Sequence, residues 1–474
     1  MLSEDILLEI FDFYRLDAMD RAHGRPWKWL RLAHVCRRWR LVLSMSPRRL
    51  DLQIYCKNGA SIKRTLTSWE TLPLIVRYHG SQMSLPSNIA IALRHPDRVR
   101  KIDLDLTSTT VGSVVNAIKK QFQALEYIRI TINDGTLPSH WHNVFLGGSA
   151  PRLQVIALDG LSFPFPEIKQ VISSANNLVE LHLSRIPKTG YFSADSLVTA
   201  LSTSTQLREL EVSFHYPASL PTKSTMSPPL GPFQRTTFPS LCFLKFHGAS
   251  EYLEEFASRV DLSQASLNNI SIWLFNQIFF EIPQICRSIP FLNASKSPTE
   301  VEIKIFTGHV TIDLRQKEEC GIESRNCYLN TLCERLDWKL SFVTQVSSYL
   351  SPLLESVGTL KVSQYGEMPS REDVDPTQWL ELVQLFTHAT KLWILGEFTL
   401  DIMQALATEE MAAGVLPELT RLELGDNNQD VENPAIEAAK QFVAARKLSG
   451  HTVALIAHDM SYNYALYRSI MSRI

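Results

Sequence analysis

The stretch Leu178-Val-Glu-Leu-His-Leu183 follows the pattern L-x-x-L-x-L, and the next stretch of this kind is Leu207-Arg-Glu-Leu-Glu-Val212. The first apolar residue of such a stretch leads into a short strand, and the next two point from that strand into a core. One unit of this kind cannot bury its apolar face alone, so neighbouring units stack into a parallel sheet. The pattern therefore predicts a mixed α/β fold built from repeats.

The pattern recurs along most of the chain, with another apolar residue sometimes in place of leucine. Its copies begin at Val99, Leu125, Leu153, Leu178, Leu207, Leu241, Leu267 and Leu419. The first seven starts are separated by 26, 28, 25, 29, 34 and 26 residues, which is a repeat length typical of leucine-rich repeats. The chain resembles such repeats over residues 99–280, and the intervening stretches 165–175 and 194–201 are predicted as helices.

Several segments depart from the repeat. Residues 217–239 hold six prolines among serines and threonines and predict an insertion loop. Between 296 and 400 the repeats blur, although two stretches alternate like strands and one is periodic like a helix. Residues 434–448 predict a capping helix with Pro434 in its first turn. The early stretches 50–55 and 72–78 predict strands that continue the sheet, so that the N-terminal segment packs on the first coil.

Residues 1–50 differ from this body. The first twenty residues hold six acids and one base, whereas residues 21–50 hold nine bases and no acid. A first helix is predicted from Ser3 to Tyr14, with Ser3 as its N-cap. A second helix is predicted from Trp27 to the residues before Pro47, with Leu32, Val35, Cys36, Trp39 and Leu43 along one apolar stripe.

These two helices resemble an F-box, a family that opens with Leu-Pro-x-Glu-Ile/Leu-Leu and closes with Val-Cys-Arg/Lys-x-Trp. The matching residues are Leu2, Asp5, Ile6, Leu7, Ile10 and Phe11 in the first half and Val35, Cys36, Arg37, Trp39 and Arg40 in the second. Ser3 stands where the family has proline, and the loop at residues 17–28 is longer than usual. The segment 44–52 is similar to one found in many fungal F-box proteins.

The resemblance implies that residues 1–50 bind the Skp-type linker of a cullin–RING ubiquitin ligase. The residues implied in that contact are Leu2, Asp5, Ile6, Leu7, Ile10, Phe11, Val35, Cys36 and Trp39. The nine bases of residues 21–50 would suit the linker, which is acidic in this family. The alternative for this segment is an ordinary helical hairpin that packs on its own protein.

The strand residues between the apolar positions line the concave face of a leucine-rich repeat, where a target protein would bind. The candidate target-binding residues are Tyr127, Arg129, Glu180, His182, Glu209, Glu211, Phe243, Lys245, Asn269 and Trp273. The three aromatic residues are of a type enriched in binding hot spots. The alternative is that they pack under loops or against the neighbouring coil.

Composition excludes several classes of protein. The chain has 474 residues and a net charge of −2, which argues against a surface built wholly for nucleic acid. No run reaches the roughly 18 apolar residues that a membrane span needs, so no membrane contact is expected. Seven irregularly spaced cysteines without a C-x-x-C pair predict reduced structural thiols in a cytoplasmic or nuclear protein, with no metal.

Signatures of catalysis are absent from the sequence. It has no G-x-S-x-G, no phosphate-binding loop and no H-E-x-x-H, and His140 and His142 have no cysteine or carboxylate close to them in sequence. We therefore expect a chain that is not an enzyme and carries no cofactor.

The predicted architecture is a helical F-box followed by a curved leucine-rich-repeat solenoid with a parallel sheet. Its predicted segments are an F-box module at 1–50, a connecting segment and first coil at 51–98, repeats at 99–295 with the insertion at 217–239, degenerate repeats and a capping helix at 296–448, and a tail at 449–474. The predicted function is a substrate-recognition adaptor of a ubiquitin ligase. The alternative is a non-catalytic repeat scaffold with a vestigial F-box.

Overall fold

The structure is a computed structural model, and it divides into two compact units. The first comprises Met1–Phe192 and Thr199–Ser219, and the second comprises Ser193–Val198 and Leu220–Ile474. The described residues are 2–20, 28–57, 62–80, 87–133, 145–160, 165–215, 235–263, 265–275, 280, 282–288, 298–316, 326–366, 374–407, 414–426 and 434–459. Of the predicted insertion at 217–239, residues 217–234 lie outside the described residues.

The first unit contains a parallel sheet of seven strands that pair in chain order. They are β1 (Ile54–Cys56), β2 (Leu74–His79), β3 (Val99–Leu106), β4 (Tyr127–Ile132), β5 (Val155–Asp159), β6 (Glu180–Ile186) and β7 (Glu209–Phe214). A strand forms at each copy of the repeat pattern in this unit, and the two early stretches also form strands. The predicted parallel repeat sheet is therefore confirmed in the first unit.

Strand β4 shows why the pattern gives a strand with two unlike faces. Ile128, Ile130 and Ile132 are fully buried, whereas the alternate residues Tyr127, Arg129 and Thr131 are half-buried. Successive side chains of a strand point to opposite faces, so the apolar set forms the core and the intervening set lines the other face. The strands pair in register, so equivalent positions of neighbouring repeats lie side by side on that face.

Helices precede the first strand of the first unit and connect most of the later ones. They are α1 (Glu4–Asp20), α2 (Arg37–Met45), α3 (Lys63–Ser68), α4 (Ser87–Ala92), α5 (Ser108–Ala117) and α6 (Phe165–Ser174), with 3₁₀ helices at Lys28–His34, Phe145–Gly148 and Lys188–Gly190. Helix α6 buries Ile168, Val171 and Ile172, at the three- and four-residue spacing of an amphipathic helix. Helix α7 (Ala194–Leu201) contributes residues to both units.

The second unit contains eleven strands among its described residues. They are β8 (Thr236–Thr237), β9 (Phe243–Gly248), β10 (Val260–Asp261), β11 (Asn269–Leu274), β12 (Glu300–Phe306), β13 (His309–Arg315), β14 (Asn326–Leu332), β15 (Thr359–Tyr365), β16 (Lys391–Leu395), β17 (Arg421–Asp426) and β18 (Ala454–Asp459). Strands β8 and β10 form a small parallel pair. The other nine lie in the order β9-β11-β14-β13-β12-β15-β16-β17-β18.

The second sheet is not wholly parallel, which corrects the prediction of a parallel sheet throughout. Strands β12 and β13 form a hairpin, and β13 is antiparallel to both of its neighbours. The next strand, β14, pairs in parallel with β11, and β15 pairs in parallel with β12. The short Thr307-Gly308 turn leaves no length for a helix between β12 and β13, so the chain reverses there and the repeat is interrupted.

The helices of the second unit are α8 (Ser250–Arg259), α9 (Pro283–Ser288), α10 (Leu336–Tyr349), α11 (Ser351–Leu354), α12 (Pro376–Val383), α13 (Thr399–Leu406) and α14 (Pro434–Leu448). The predicted helix at 434–448 is confirmed, but it does not end the repeats. Strand β18 follows it and pairs with β17, so part of the predicted tail at 449–474 belongs to the sheet.

Candidate functional site

The N-terminal helices expose apolar side chains. Seven of the eleven large apolar side chains exposed among the described residues lie in this tenth of the chain. We call them the N-terminal apolar surface: Leu2, Ile6, Ile10, Phe13, Val35, Leu41 and Met45. Ile6, Ile10 and Phe13 are spaced by four and three residues, which places them on one side of α1, and Leu2 lies two residues before that helix. A concentration of exposed apolar residues is a mark of an interaction site.

The predicted apolar stripe of the first helix is divided between two faces. Ile6 and Ile10 are exposed, whereas Leu7 and Phe11 are buried within the unit. The Phe11 ring contacts the half-buried Trp39 ring edge-on at 4.9 Å. Asp5 is exposed and lies 3.7 Å from Arg49. Only part of the predicted set is therefore available to a partner in this conformation.

The predicted second helix is interrupted, which corrects the sequence analysis. A 3₁₀ helix ends at His34, and α2 begins at Arg37. Cys36 adopts extended backbone angles, and its Sγ accepts a hydrogen bond from the Trp39 amide at 3.4 Å, as a helix N-cap does. Val35 and Cys36 consequently leave the apolar stripe and are exposed. Helix α1 also extends six residues beyond its predicted end at Tyr14.

The N-terminal helices pack against the first coil, as predicted. Trp29 is buried, donates a hydrogen bond from Nε1 to the Gln53 carbonyl at 2.9 Å, and contacts the Trp69 ring edge-on at 5.4 Å. Leu50 and Leu52, between the helices and β1, are also buried. The predicted N-cap is confirmed too, because Ser3 Oγ accepts from the Ile6 amide at 3.4 Å.

The polar face of the first sheet begins with carboxylates that arginines neutralise. Arg129 donates to Asp103 at 2.7 Å and to Asp105 at 3.3 Å. Arg77 lies 3.1 Å from Asp103, and His79 Nδ1 lies 2.5 Å from Asp105. Tyr127, the neighbouring candidate for target binding, is half-buried, and burial raises the pKa of its hydroxyl.

The same face carries a different arrangement on β6 and β7, which we call the His182 cluster: Glu180, His182, Glu209 and Glu211. These four predicted target-binding residues are brought together, since β6 and β7 pair Glu180 with Glu209 and His182 with Glu211. His182 Nε2 lies 3.7 Å from Glu180 and 3.6 Å from Glu209, and Nδ1 lies 3.3 Å from Glu211. In the described part of the chain, neither Glu180 nor Glu209 forms an ion pair with lysine or arginine.

His182 is the cation of this cluster when it is protonated. Burial lowers its pKa, but the hydrogen bond to Glu211 and the charges of the three carboxylates raise it by more. The net pKa of His182 therefore lies above its usual value. The cluster changes its charge when this one imidazole titrates.

Sequence reasoning named these four residues as parts of a protein-binding face and did not consider them as ligands for a metal. Oxygen and nitrogen atoms of Glu180, His182 and Glu209 nevertheless lie within 4.8 Å of one another. The signal was present in the repeats, because Glu-x-His of one repeat aligns with Glu-x-Glu of the next. It becomes visible only when strands are paired in register.

The second sheet buries its carboxylates beside permanent cations. We call one such group the Asp313 network: Glu300, Glu302, Lys304, Asp313, Arg315 and Lys361. The Asp313 side chain is fully buried and lies 2.7 Å from Lys304 and 2.5 Å from Arg315. Arg315 also lies 2.9 Å from Glu302, and Lys361 lies 2.7 Å from Glu300. Sequence reasoning missed this network, since its pairs join residues up to 61 positions apart.

The remaining candidate target-binding residues lie in neighbouring strands of the second sheet. Phe243 pairs with Asn269, and Lys245 lies next to them on the same half-buried face. Trp273 lies farther along β11, with its ring 5.4 Å from the ring of His309. Phe306 stacks on His309 at 4.1 Å and on Tyr365 at 5.0 Å, so the aromatic group is larger than the sequence indicated.

The six described cysteines form no disulfide bond with one another. Burial raises the pKa of the Cys56 thiol and of the Cys327 thiol to about 12 in each case. Such thiols stay protonated near neutral pH and are poor metal ligands. Cys320, His140 and His142 lie outside the described residues.

No helix in the described portion has both the length and the apolar character needed to cross a membrane.

Comparisons with known proteins identify no family. No family model matches the chain, and no curated protein matches it. Among solved structures, it is similar to the leucine-rich repeat-containing protein LegL7 from Legionella pneumophila, with 11% identity over 73% of this chain and 90% of that one. The TM-score is 0.25, so the likeness carries no argument, and the repeat assignment rests on the observed strands.

Proposed function

We propose that the chain is a non-catalytic adaptor of a Skp–cullin–F-box type ubiquitin ligase. In this proposal the N-terminal apolar surface binds the Skp-type linker, and the polar sheet faces bind a target protein. Tethering a target beside a ubiquitin-charged carrier accelerates transfer through proximity alone, so the chain needs no catalytic residue of its own.

The single observation that carries the proposal is the position of the N-terminal apolar surface. Leu2, Ile6, Ile10 and Val35 of this surface lie within the stretches that resemble an F-box, residues 2–11 and 32–40, and its other three residues follow within five positions of those stretches. Burying its exposed leucine, isoleucine and phenylalanine side chains would contribute about 25 cal/mol per Å² of apolar area removed from water. The internal packing of Leu7, Phe11 and Trp39 holds the exposed residues in place without a partner.

Charge supports the proposal less than the sequence indicated. Several of the nine bases expected to meet an acidic linker are engaged within the chain. Arg38 donates to the Leu2 carbonyl at 2.6 Å, Arg40 donates to the Ala33 carbonyl at 2.9 Å, and Arg49 pairs with Glu9 at 2.8 Å. We therefore assign the affinity for the linker mainly to apolar contact.

The sheet faces supply the surface for the target. Their half-buried positions present carboxylates, bases and aromatic rings on alternate residues of successive strands. Tyr127, Arg129, Phe243, Lys245, Asn269 and Trp273 are our candidates for target contact, together with the four residues of the His182 cluster. Because Trp273 and its aromatic neighbours are half-buried, truncation of Trp273 tests the target surface without removing a core side chain.

Calorimetry of the intact chain with a purified Skp-type linker tests the proposal. We expect micromolar or tighter binding, which the double variant Ile6→Asp, Ile10→Asp abolishes because it places two charges on the contact surface. Both residues are exposed, so thermal unfolding should remain unchanged. The matched control is Leu448→Asp, which changes a leucine that is 91% exposed at the end of α14 and should leave binding intact.

Two results would contradict the adaptor role. One is an intact chain that does not bind the linker, and the other is a double variant that binds as tightly as the intact chain. Either result would favour the alternative, a repeat scaffold whose N-terminal helices only cover the first coil.

A further inference from the structure

The His182 cluster has the geometry of a metal site rather than that of a hydrogen-bonded triad. The distances of 3.7 and 3.6 Å from His182 Nε2 to Glu180 and Glu209 exceed the usual hydrogen-bond range of about 2.7–3.2 Å. In a tetrahedral zinc site with ligand bonds of about 2.0–2.1 Å, neighbouring ligand atoms lie about 3.4 Å apart. The two nitrogen–oxygen distances therefore exceed this separation by only about 0.2–0.3 Å. All three ligand atoms lie within 4.8 Å of one another.

The orientation of the imidazole supports this reading. Nδ1 of His182 faces Glu211 at 3.3 Å, and the other oxygen of Glu211 accepts a hydrogen bond from Ser184 at 2.9 Å. A carboxylate on one ring nitrogen fixes the tautomer and leaves the lone pair of the other nitrogen for a metal. Here Nε2 lies 3.7 Å from Glu180 and 3.6 Å from Glu209, the two remaining carboxylates.

The charge of the site also favours a cation. Three carboxylates surround one imidazole, and among the described residues Glu180 and Glu209 pair with no lysine or arginine. Like charges held this close repel one another, so a bound dication would relieve the repulsion among the carboxylates. The side chains of Glu180 and Glu209 are 37% and 41% exposed, so an ion can reach them from solvent.

We propose that Glu180, His182 and Glu209 bind a divalent transition-metal ion of the zinc class, with Glu211 as the positioning residue of the imidazole. One imidazole nitrogen with two carboxylate oxygens suits zinc, whereas calcium and magnesium take oxygen ligands. Three protein ligands leave a fourth position towards solvent, where a side chain of a bound protein could coordinate. The site does not depend on the adaptor role, because it lies on the sheet face and away from the N-terminal helices in sequence.

Zinc titration of the chelator-treated full chain by calorimetry tests the site. We expect one equivalent of zinc whose affinity falls by about 10–100-fold in His182→Gln and in Glu209→Gln, and by about 10-fold in Glu211→Gln. The matched control is His79→Gln. His79 also lies between two carboxylates, Asp103 and Asp105, but Arg77 and Arg129 already neutralise them. Zinc binding by this variant should equal that of the wild-type chain.

Cobalt substitution identifies the ligands independently of affinity. Bound at the His182 cluster, cobalt should show visible d–d bands without the thiolate charge-transfer band of a cysteine site. The His182→Gln spectrum should lose those bands. A thiolate band in the wild-type chain, or zinc binding that is unchanged in His182→Gln and Glu209→Gln, would overturn the assignment.

Discussion

The His182 cluster of the first unit and the Asp313 network of the second unit solve the same electrostatic problem in different ways. Each places carboxylates side by side on the polar face of a sheet, because strands pair in register. In the Asp313 network, lysine and arginine occupy the neighbouring positions and their charge is permanent. In the His182 cluster, the central cation is an imidazole, whose charge depends on pH.

The difference shows which of the two groups can change its charge or bind a ligand. Deep burial makes the Asp313 network dependent on every one of its partners, since an unpaired buried charge is costly. The residues of the His182 cluster are more exposed, so they are accessible from solvent. A metal ion can bind the imidazole in place of its proton, and a protein can bind at the cluster. We therefore treat the Asp313 network as structural and the His182 cluster as a site for binding.

The largest expected effect comes from breaking the Asp313 network. Arg315→Met removes a partner that three carboxylates share, Glu300, Glu302 and Asp313, each more than nine-tenths buried. We expect the free energy of unfolding of the second unit to fall by about 3 kcal/mol, the low end for a buried pair because Arg315 is partly exposed. Urea unfolding measures the change.

The control for this change is an exposed ion pair on α14. Lys440 lies 3.3 Å from Glu437, with both side chains more than half exposed. Lys440→Met should alter the free energy of unfolding by less than about 0.5 kcal/mol. Equal effects of Lys440→Met and Arg315→Met would contradict a structural role for the Asp313 network.

The repeat pattern predicted the strands well because it is local. Each copy of L-x-x-L-x-L corresponds to an observed strand, from β3 at Val99 to β17 after Leu419. Strands β15 and β16, which were not predicted, carry weaker forms of the same signal. Val357 precedes Leu360 and Val362 in β15, and Ala389 precedes Leu392 and Ile394 in β16. Alanine as the first residue hid β16, whereas the β15 copy begins with valine, as the copy at Val99 does. All of these positions are buried.

Pairing and side-chain clusters were harder to predict because they depend on partners that are distant in sequence. The alternation at 301–305 and 310–314 predicted two strands, but it did not reveal that β13 runs antiparallel between β12 and β14. In the N-terminal helices, a periodic stripe predicted one apolar face. The break before Cys36 then moved Val35 out of that stripe.

A change of pH should affect the stability of the two units in opposite directions. The pKa of His182 is raised, so its stabilising effect is present below pH 6.5, the usual pKa of histidine, and is lost as pH rises through the folded-state pKa. Burial and the charge of Lys339 lower the pKa of His309 in the second unit, so protonation destabilises that unit as pH falls below 6.5. Lowering the pH should therefore stabilise the first unit and destabilise the second.

Thermal unfolding between pH 8 and pH 5.5 measures these opposite effects, with each variant compared with the wild-type chain. His182→Gln should remove the gain in stability of the first unit at low pH. His309→Gln should remove the loss of stability of the second unit. Proton NMR of the two imidazole rings gives the pKa directly. A His182 pKa at or below that of His309 would contradict the comparison.

The smallest expected effect comes from giving the His182 cluster a permanent cation, as the Asp313 network has. Ala157 on β5 is half-buried and pairs directly with His182, so Ala157→Lys places a permanent cation beside the carboxylates. We expect the free energy of unfolding to rise by about 0.5–1 kcal/mol, the usual value of a favourable cross-strand pair. The pKa of His182 should fall towards its usual value, because a like charge disfavours protonation.

The affinity for zinc should also fall in Ala157→Lys, because the lysine repels a second cation. The control is Ala157→Gln, which has a similar length without the charge and should leave both the pKa of His182 and the zinc affinity unchanged. If Ala157→Lys and Ala157→Gln behave alike, then shape rather than charge distinguishes the cluster from the Asp313 network.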